Sequence, residues 1–264
     1  MSCVAICGDS GSGKTTMAKV LSGYLLDSII IECDGYHKWE RHDPHWNEYT
    51  HLHPEANHIS LMNENVLALK NGESIHYRQY DHKTGTFLES QEVGPNSNVI
   101  VTGLHTFMCP DNLYDVKIFM DTDPVLKTQW KIARDTSRRG YSLEQVKLQI
   151  QNRKRDYDLF LQPLVTEADV VVNFYNETDV YIDSIKGIGR CLRIFIKNVH
   201  DINNILKEFD ALDVDYIFAR DSRRSEFCEF DIINYKSINN GYYYDHVALC
   251  VLDILKQNEF KRTI

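Results

Sequence analysis

The chain has 264 residues, 43% of them hydrophobic and 25% charged, with a formal net charge of -9. That length fits one large or two modest domains with ordinary cores, and the acidic balance argues against nucleic acid as a partner, since such binders carry basic surfaces. No apolar run approaches the roughly 20 residues needed to span a bilayer, and the N-terminus has no basic leader ahead of a long apolar region, so neither a membrane partner nor a secretory signal is expected.

The chain opens on a short apolar strand, Val4-Ala5-Ile6-Cys7. Gly8-Asp9-Ser10-Gly11-Ser12-Gly13-Lys14-Thr15-Thr16 follows at once, then a helix over 15–26. The loop fits G-x-x-x-x-G-K-[ST] at each fixed position. Glycines there let successive N–H groups curl inward onto phosphate oxygens, and the helix N-terminus adds unpaired N–H groups. Lys14 supplies a cation for the β- and γ-phosphates, and the Thr15 hydroxyl a ligand for Mg2+. The loop therefore predicts binding of a nucleoside triphosphate through residues 8–16.

Ile29-Ile30-Ile31 reads as a buried parallel strand that ends in Glu32-Cys33-Asp34-Gly35-Tyr36-His37. Ligands of open α/β folds bind beyond the carboxyl ends of strands, so Asp34 stands where it could accept the proton of an attacking hydroxyl. The competing reading is a cap for the next element. Residues 37–58 are polar, aromatic and rich in histidine: His37, His42, His45, His51, His53 and His58. The His42/His45 and His51/His53 spacings could suit a metal, but no cysteine or dense acidic set accompanies them, and a substrate-facing loop is preferred. A helix is expected over 59–69, closed by Asn71-Gly72. Residues 75–82 and the turn 83–86 read as a hairpin in which Arg78, Tyr80 and His82 could meet an anionic or hydroxyl-bearing ligand.

Val99-Ile100-Val101 is a further buried strand, ending at Thr102-Gly103-Leu104-His105. In phosphate-loop proteins such a strand usually ends in an acid that helps hold Mg2+; here Thr102 stands in that place. A strand over 116–121 leads through Asp123-Pro124 into a helix. That helix carries Lys131, Arg134, Asp135, Arg138 and Arg139, and Lys131, Arg134 and Arg138 fall on one face. Cations so placed repel unless an acid or phosphate lies between them. Ser142 with Gln145 opens the next helix as a capping box, and that helix carries Arg153, Lys154 and Arg155, which on a mobile lid would stabilise a transferring phosphoryl group. A strand over 168–174 completes the pattern.

The tail reads as a strand over 191–196, a helix over 201–212, strands over 216–220 and 227–235, and a helix over 244–256. It carries no chemical motif; Asn239-Asn240-Gly241 is turn chemistry, and Ser222, Arg223 and Arg224 form a solvated loop. The seven cysteines form no CxxC pair and read as reduced thiols of a cytoplasmic protein.

Over residues 2–175 the chain resembles the phosphoribulokinase/uridine kinase family of P-loop kinases, and its phosphoribulokinase branch most. The likeness rests on ordered blocks. The phosphate loop is followed by Asp34-Gly35-Tyr36-His37-Lys38-Trp39-Glu40-Arg41, Pro54-Glu55-Ala56-Asn57 and Tyr80-Asp81-His82-Lys83-Thr84-Gly85. Gly103-Leu104-His105, Trp130-Lys131-Ile132-Ala133-Arg134-Asp135, Arg139-Gly140-Tyr141-Ser142-Leu143-Glu144, Gln162-Pro163 and Ala168-Asp169-Val170-Val171 come next. The resemblance implies a three-layer α/β P-loop NTPase fold with a mainly parallel sheet over 1–176, and a smaller α+β segment over 177–264. It implies ATP as phosphoryl donor, Mg2+, and a small-molecule hydroxyl acceptor, a sugar phosphate, sugar or polyol. It casts Asp34 as base, with Lys14, Arg134 and Asp135 as catalytic partners. His37, Arg41, Tyr80, His82, His105, Lys131, Arg139 and Arg153 are expected around the acceptor and its phosphate.

Two departures stand out. Thr102 replaces the acid that precedes Gly-Leu-His in phosphoribulokinases, leaving Mg2+ to Thr15 with Asp34 or Asp135. Ser12 replaces the phosphate-loop cysteine of thioredoxin-regulated members, so disulfide control through that loop is not expected. A nucleoside kinase, or a nucleotide-binding sensor or assembly protein with little turnover, are the alternatives, and self-assembly is left open.

Overall fold

A computed structural model describes residues 1–110, 112–177, 189–197, 202–211, 216–220, 227–232 and 243–263. Among the described residues twelve strands run in chain order: β1 (Ser2–Gly8), β2 (Ser28–Glu32), β3 (Ile75–Tyr77), β4 (Tyr80–Asp81), β5 (Thr86–Phe87), β6 (Gln91–Val93), β7 (Asn98–Gly103), β8 (Val116–Thr122), β9 (Val170–Glu177), β10 (Gly189–Lys197), β11 (Tyr216–Arg220) and β12 (Phe227–Ile232). The helices are α1 (Lys14–Tyr24), α2 (Ile59–Lys70), α3 (Pro124–Arg138), α4 (Leu143–Asn152), the single turn α5 (Lys154–Asp156), α6 (Asn203–Ala211) and α7 (Tyr243–Thr263).

Eight strands form one sheet in the order β2-β7-β1-β8-β9-β10-β12-β11. The first five run parallel, and β10, β12 and β11 continue it antiparallel. The expected mixed α/β architecture with a mainly parallel sheet is therefore present. The boundary placed after residue 176 falls at the end of β9, and the strands beyond it extend the same sheet. Parallel strands covered on both faces are apolar throughout, and β1 is buried along its length. Its side chains alternate between two cores. Val4 and Ile6 pack with Met17 and Leu21 of α1 and with Val247, Ala248 and Val251 of α7. Cys3, Ala5 and Cys7 pack on the other face with Met62, Val66 and Leu69 of α2.

Local chemistry sets the helix starts. Asp123 caps α3, its carboxylate accepting from the Val125 and Leu126 amides, and Pro124 occupies the first turn. Ser142 and Gln145 form the expected capping box of α4. The expected hairpin is two separate ribbons: β3 pairs with β6, and β4 with β5. The run breaks at Arg78, whose guanidinium turns away to donate to the Gly35 and His37 carbonyls and packs 3.6 Å over the Phe87 ring. The turn expected at 239–241 and the loop of Ser222, Arg223 and Arg224 lie outside the described residues.

Candidate active site

The phosphate loop leaves the carboxyl end of β1 between β7 and β8. Gly8, Gly11 and Gly13 hold φ of 146°, 91° and 94°, a region that L side chains rarely enter. A Cβ at Gly8 would lie 2.5 Å from the Met120 carbonyl oxygen, and one at Gly13 would run into the Tyr244 hydroxyl of α7. Lys14 Nζ donates to the Asp9 carbonyl at 2.8 Å, and burial brings its pKa down to about 8. The Asp9 carboxylate is gripped by Arg153 at 2.9 Å and Lys127 at 3.3 Å. Burial opposes its ionisation, yet these cations hold its pKa below the usual value. Ser12 is fully buried, and Thr16 faces solvent.

Beyond the loop lies a cavity of about 460 Å³. Ser10, Lys14 and Thr15 line it together with Asp34, His37, Tyr80 and His82. Six cations (Lys14, Arg41, Lys131, Arg134, Arg139 and Arg153) and three carboxylates (Glu32, Asp34 and Asp135) face it. A molecule of net charge -9 thus gathers positive charge in its cleft, the arrangement that attracts anionic ligands.

Asp34 sits in a turn of 3-10 helix after β2. Its Oδ2 accepts from His82 Nε2 at 2.9 Å, and its Oδ1 lies 3.5 Å from His37 Nε2. Burial penalises the charge, but the hydrogen bond from His82 and the nearby Lys14 hold the carboxyl well below its ordinary pKa. Asn57 fixes the His37 tautomer. Its amide NH2 donates to the His51 and His53 carbonyls, so its oxygen must accept from His37 Nδ1, at 2.7 Å. His37 Nε2 then presents a lone pair to the cleft beside Asp34, and burial keeps the ring neutral by lowering its pKa.

On α3, Asp135 is the hub. Its carboxylate meets Lys131 at 2.6 Å, Arg134 at 2.8 Å and Arg139 at 3.6 Å. Burial works against its charge, but Arg134 and Lys131 bring its pKa down to about 2. Arg134 also donates to the Ser10 hydroxyl at 2.8 Å, joining α3 to the phosphate loop. Arg138, placed with Lys131 and Arg134 by helical spacing, points to solvent. Arg139, at the C-cap, turns in instead.

Three further expectations change. His105 does not line the cavity. It is 2% exposed, and its Nε2–H donates to the Leu52 carbonyl at 3.0 Å, so it anchors the histidine-rich loop; burial lowers its pKa to about 4. Arg41 lines the cavity, but its guanidinium already donates to the His82 and Lys83 carbonyls. Arg153, expected at the acceptor, binds Asp9 of the phosphate loop. Of the histidines considered for a metal, His45 stacks on Trp39 and His51 on Trp46. Among the described residues no cluster of three His, Cys, Asp or Glu side chains is gathered for an ion.

Residue spacing does not single out Glu32, Lys127 or Asn57. Asn57 stands in the Pro-Glu-Ala-Asn block without a chemical cue, and the Lys127 contact needs the loop and α3 brought together. Oxygen donors of the Thr15, Asp34 and Glu32 type suit Mg2+, which keeps water and binds through one or two carboxylates and substrate phosphates.

The profile of the Phosphoribulokinase / Uridine kinase family matches residues 3–181. Phosphoribulokinase of Synechocystis sp. is 34% identical over 173 residues, covering 64% of this chain and 52% of that protein. Chloroplastic phosphoribulokinase of Arabidopsis thaliana is 31% identical over 212 residues, covering 72% and 53%. The chain thus spans about half the length of these two relatives. Uridine kinase of Borrelia turicatae is 30% identical over 203 residues, covering 73% of this chain and 98% of that protein. Among solved structures, phosphoribulokinase from Rhodobacter spheroides superposes with a TM-score of 0.69 over 98% of both chains. At 16% identity that is a likeness of fold, and it extends through β10–β12 and α7.

Proposed function

The chain belongs to the phosphoribulokinase/uridine kinase family, and on that premise we propose that it is an ATP-dependent kinase acting on a hydroxyl of a small phosphorylated sugar. The observation that carries this reading is one cavity lined by both the phosphate loop and the ionised Asp34. The loop amides and Lys14 bind the triphosphate of ATP. Mg2+, when bound, would neutralise phosphate charge, and Thr15 is placed to hold it.

Asp34 orients the acceptor hydroxyl and accepts its proton. A carboxylate of low pKa is a weak base, but phosphoryl transfer through a loose transition state asks little of the base before the new bond forms. His82 fixes one carboxylate oxygen, leaving the other beside the His37 lone pair. A hydroxyl entering there meets two acceptors. Arg134 bridges Asp135 and Ser10, so it stands ready to stabilise charge on the transferring group. Lys131 and Arg139, both lining the cavity, favour a phosphorylated acceptor over a neutral nucleoside. The free thiols of Cys3, Cys7, Cys33 and Cys250 support a reducing, cytoplasmic setting.

Asp34→Asn tests this directly. It should lower kcat by roughly 10²–10⁴-fold and leave ATP affinity within about twofold. Unchanged transfer would remove Asp34 from the chemistry. Thr102 favours a second reading, a nucleotide-binding protein of low turnover. That reading predicts a large gain in activity on Thr102→Glu, whereas the kinase reading predicts no gain.

A further inference from the structure

The strand that ends at Thr102 lacks the carboxylate expected to face a nucleotide-bound cation, and the neighbouring strand supplies one. β2 and β7 pair in parallel with Glu32 in register with Thr102. Partners in register lie about 4.8 Å apart and project to the same face. Ile6 is also in register with Thr102 and packs in the core against Met17 and Leu21 of α1. Glu32 and Thr102 therefore share the face of the sheet on which α1 lies, and α1 opens with Lys14 and Thr15. All four residues line the cavity.

Two independent observations point to a ligand at this place. Thr102 is 4% exposed, and its Oγ1 has no hydrogen-bond partner among the described residues. The Glu32 side chain has neither a hydrogen bond nor an ion pair among the described residues. The three neighbouring carboxylates, Asp9, Asp34 and Asp135, are each paired. The Glu32 main chain is held in place, because Tyr77 donates its hydroxyl to the Glu32 carbonyl at 2.8 Å. A side chain one methylene longer than aspartate, on the adjacent strand, can reach the space in front of Thr102.

We propose that Glu32 has taken over the acidic position vacated at Thr102, and that it holds the divalent cation of the bound nucleotide together with Thr15, with the Thr102 hydroxyl bonding to water on that cation. This rests on the phosphate loop binding a triphosphate, and goes beyond it in assigning the metal side of the site to a different strand.

The test uses Mn2+ as probe, with the full chain and a non-hydrolysable ATP analogue, read by electron paramagnetic resonance. Glu32→Gln preserves shape and should weaken Mn2+ affinity at the nucleotide site by at least about tenfold. Affinity for the analogue in chelator should stay within about twofold. Glu32→Gln combined with Thr102→Glu should restore Mn2+ affinity by returning the carboxylate to β7. Unchanged Mn2+ affinity in Glu32→Gln overturns the inference while leaving nucleotide binding intact. A rise in acceptor KM with normal Mn2+ affinity also overturns it, and moves Glu32 to the acceptor. Failure of the unmodified chain to bind the analogue in chelator removes the donor site itself.

Discussion

Asp135 shows how a single residue can organise a site without being its reacting group. Three cations converge on its carboxylate, and its pKa of about 2 lies below the unfolded value of about 3.9. A carboxyl depressed in this way stabilises the native state above its unfolded pKa and stops doing so as pH falls through the folded one. The contribution is about 2–3 kcal/mol, lost between about pH 4 and pH 2. Asp135→Asn should therefore lower Tm at pH 7, with the gap from the parent chain closing toward pH 2; a gap of equal size at both ends would contradict this. Lys131 gives a second pH signature. Burial and the nearby Arg153 bring its pKa down to about 8, so its charge fades as pH rises through that value. Acceptor KM should rise between about pH 7.5 and 9, and Lys131→Arg should flatten the rise. Steady-state kinetics across pH decides it. Much of this was legible in sequence, because Asp34 follows an apolar strand and Lys131, Arg134 and Asp135 share one helix. Arg139 was harder to separate from Arg138, since ideal helical spacing selects Arg138 and only the C-cap geometry turns Arg139 inward. His105 shows where the resemblance misleads: the Gly-Leu-His block implied a residue at the acceptor, and its burial with a bond to the Leu52 carbonyl appears only in the fold.

Among the elements, the β4–β5 ribbon acts at a distance. Arg78, just before β4, donates to the Gly35 and His37 carbonyls, while His82, in the turn between β4 and β5, reaches Asp34. The turn carrying Asp34 is thus held at two points by a segment that the sequence reads as a hairpin with Arg78 and His82 as candidate ligand contacts. Period-two alternation cannot reveal that Arg78 leaves the ladder to serve a neighbouring turn. Arg78→Ala should cost about 10- to 10²-fold in kcat/KM through misplacement of Asp34, although Arg78 does not line the cavity. Arg78→Lys should not rescue it, because an ammonium lacks the planar fork that spans two carbonyls. Kinetics of the three proteins, with nucleotide affinity as the control, would show it; a fully active Arg78→Ala would dismiss the clamp. The helix starts were plain from sequence, since Asp123-Pro124 and Ser142 with Gln145 are local signals that need no tertiary partner.

At the scale of the whole molecule, the C-terminal segment is part of the site's foundation. Val247, Ala248 and Val251 of α7 share a core with Met17 and Leu21 of α1, and the Tyr244 hydroxyl stands against Gly13 of the phosphate loop. β10 covers what would otherwise be the open edge of β9, a liability in an isolated sheet. Residues 1–177 expressed alone should accordingly be aggregation-prone and fail to bind nucleotide, as circular dichroism and a binding titration would reveal; a cooperatively folding, nucleotide-binding fragment would contradict this. Sequence showed the tail's elements but not their role, because apolar stripes without a motif say only that something is covered. The parallel core was legible from its apolar runs, whereas the register that sets Glu32 beside Thr102 exists only once β2 and β7 are paired. The phosphate loop and Asp34 line a single cavity, in which donor and acceptor are expected to meet. The most direct test of that meeting is phosphate transfer from γ-labelled ATP, with the unmodified chain, across pentose phosphates, hexoses, polyols and nucleosides. The prediction is label on a phosphorylated sugar, dependent on a divalent cation and lost in Asp34→Asn. Tight ATP binding with no label on any acceptor would contradict it.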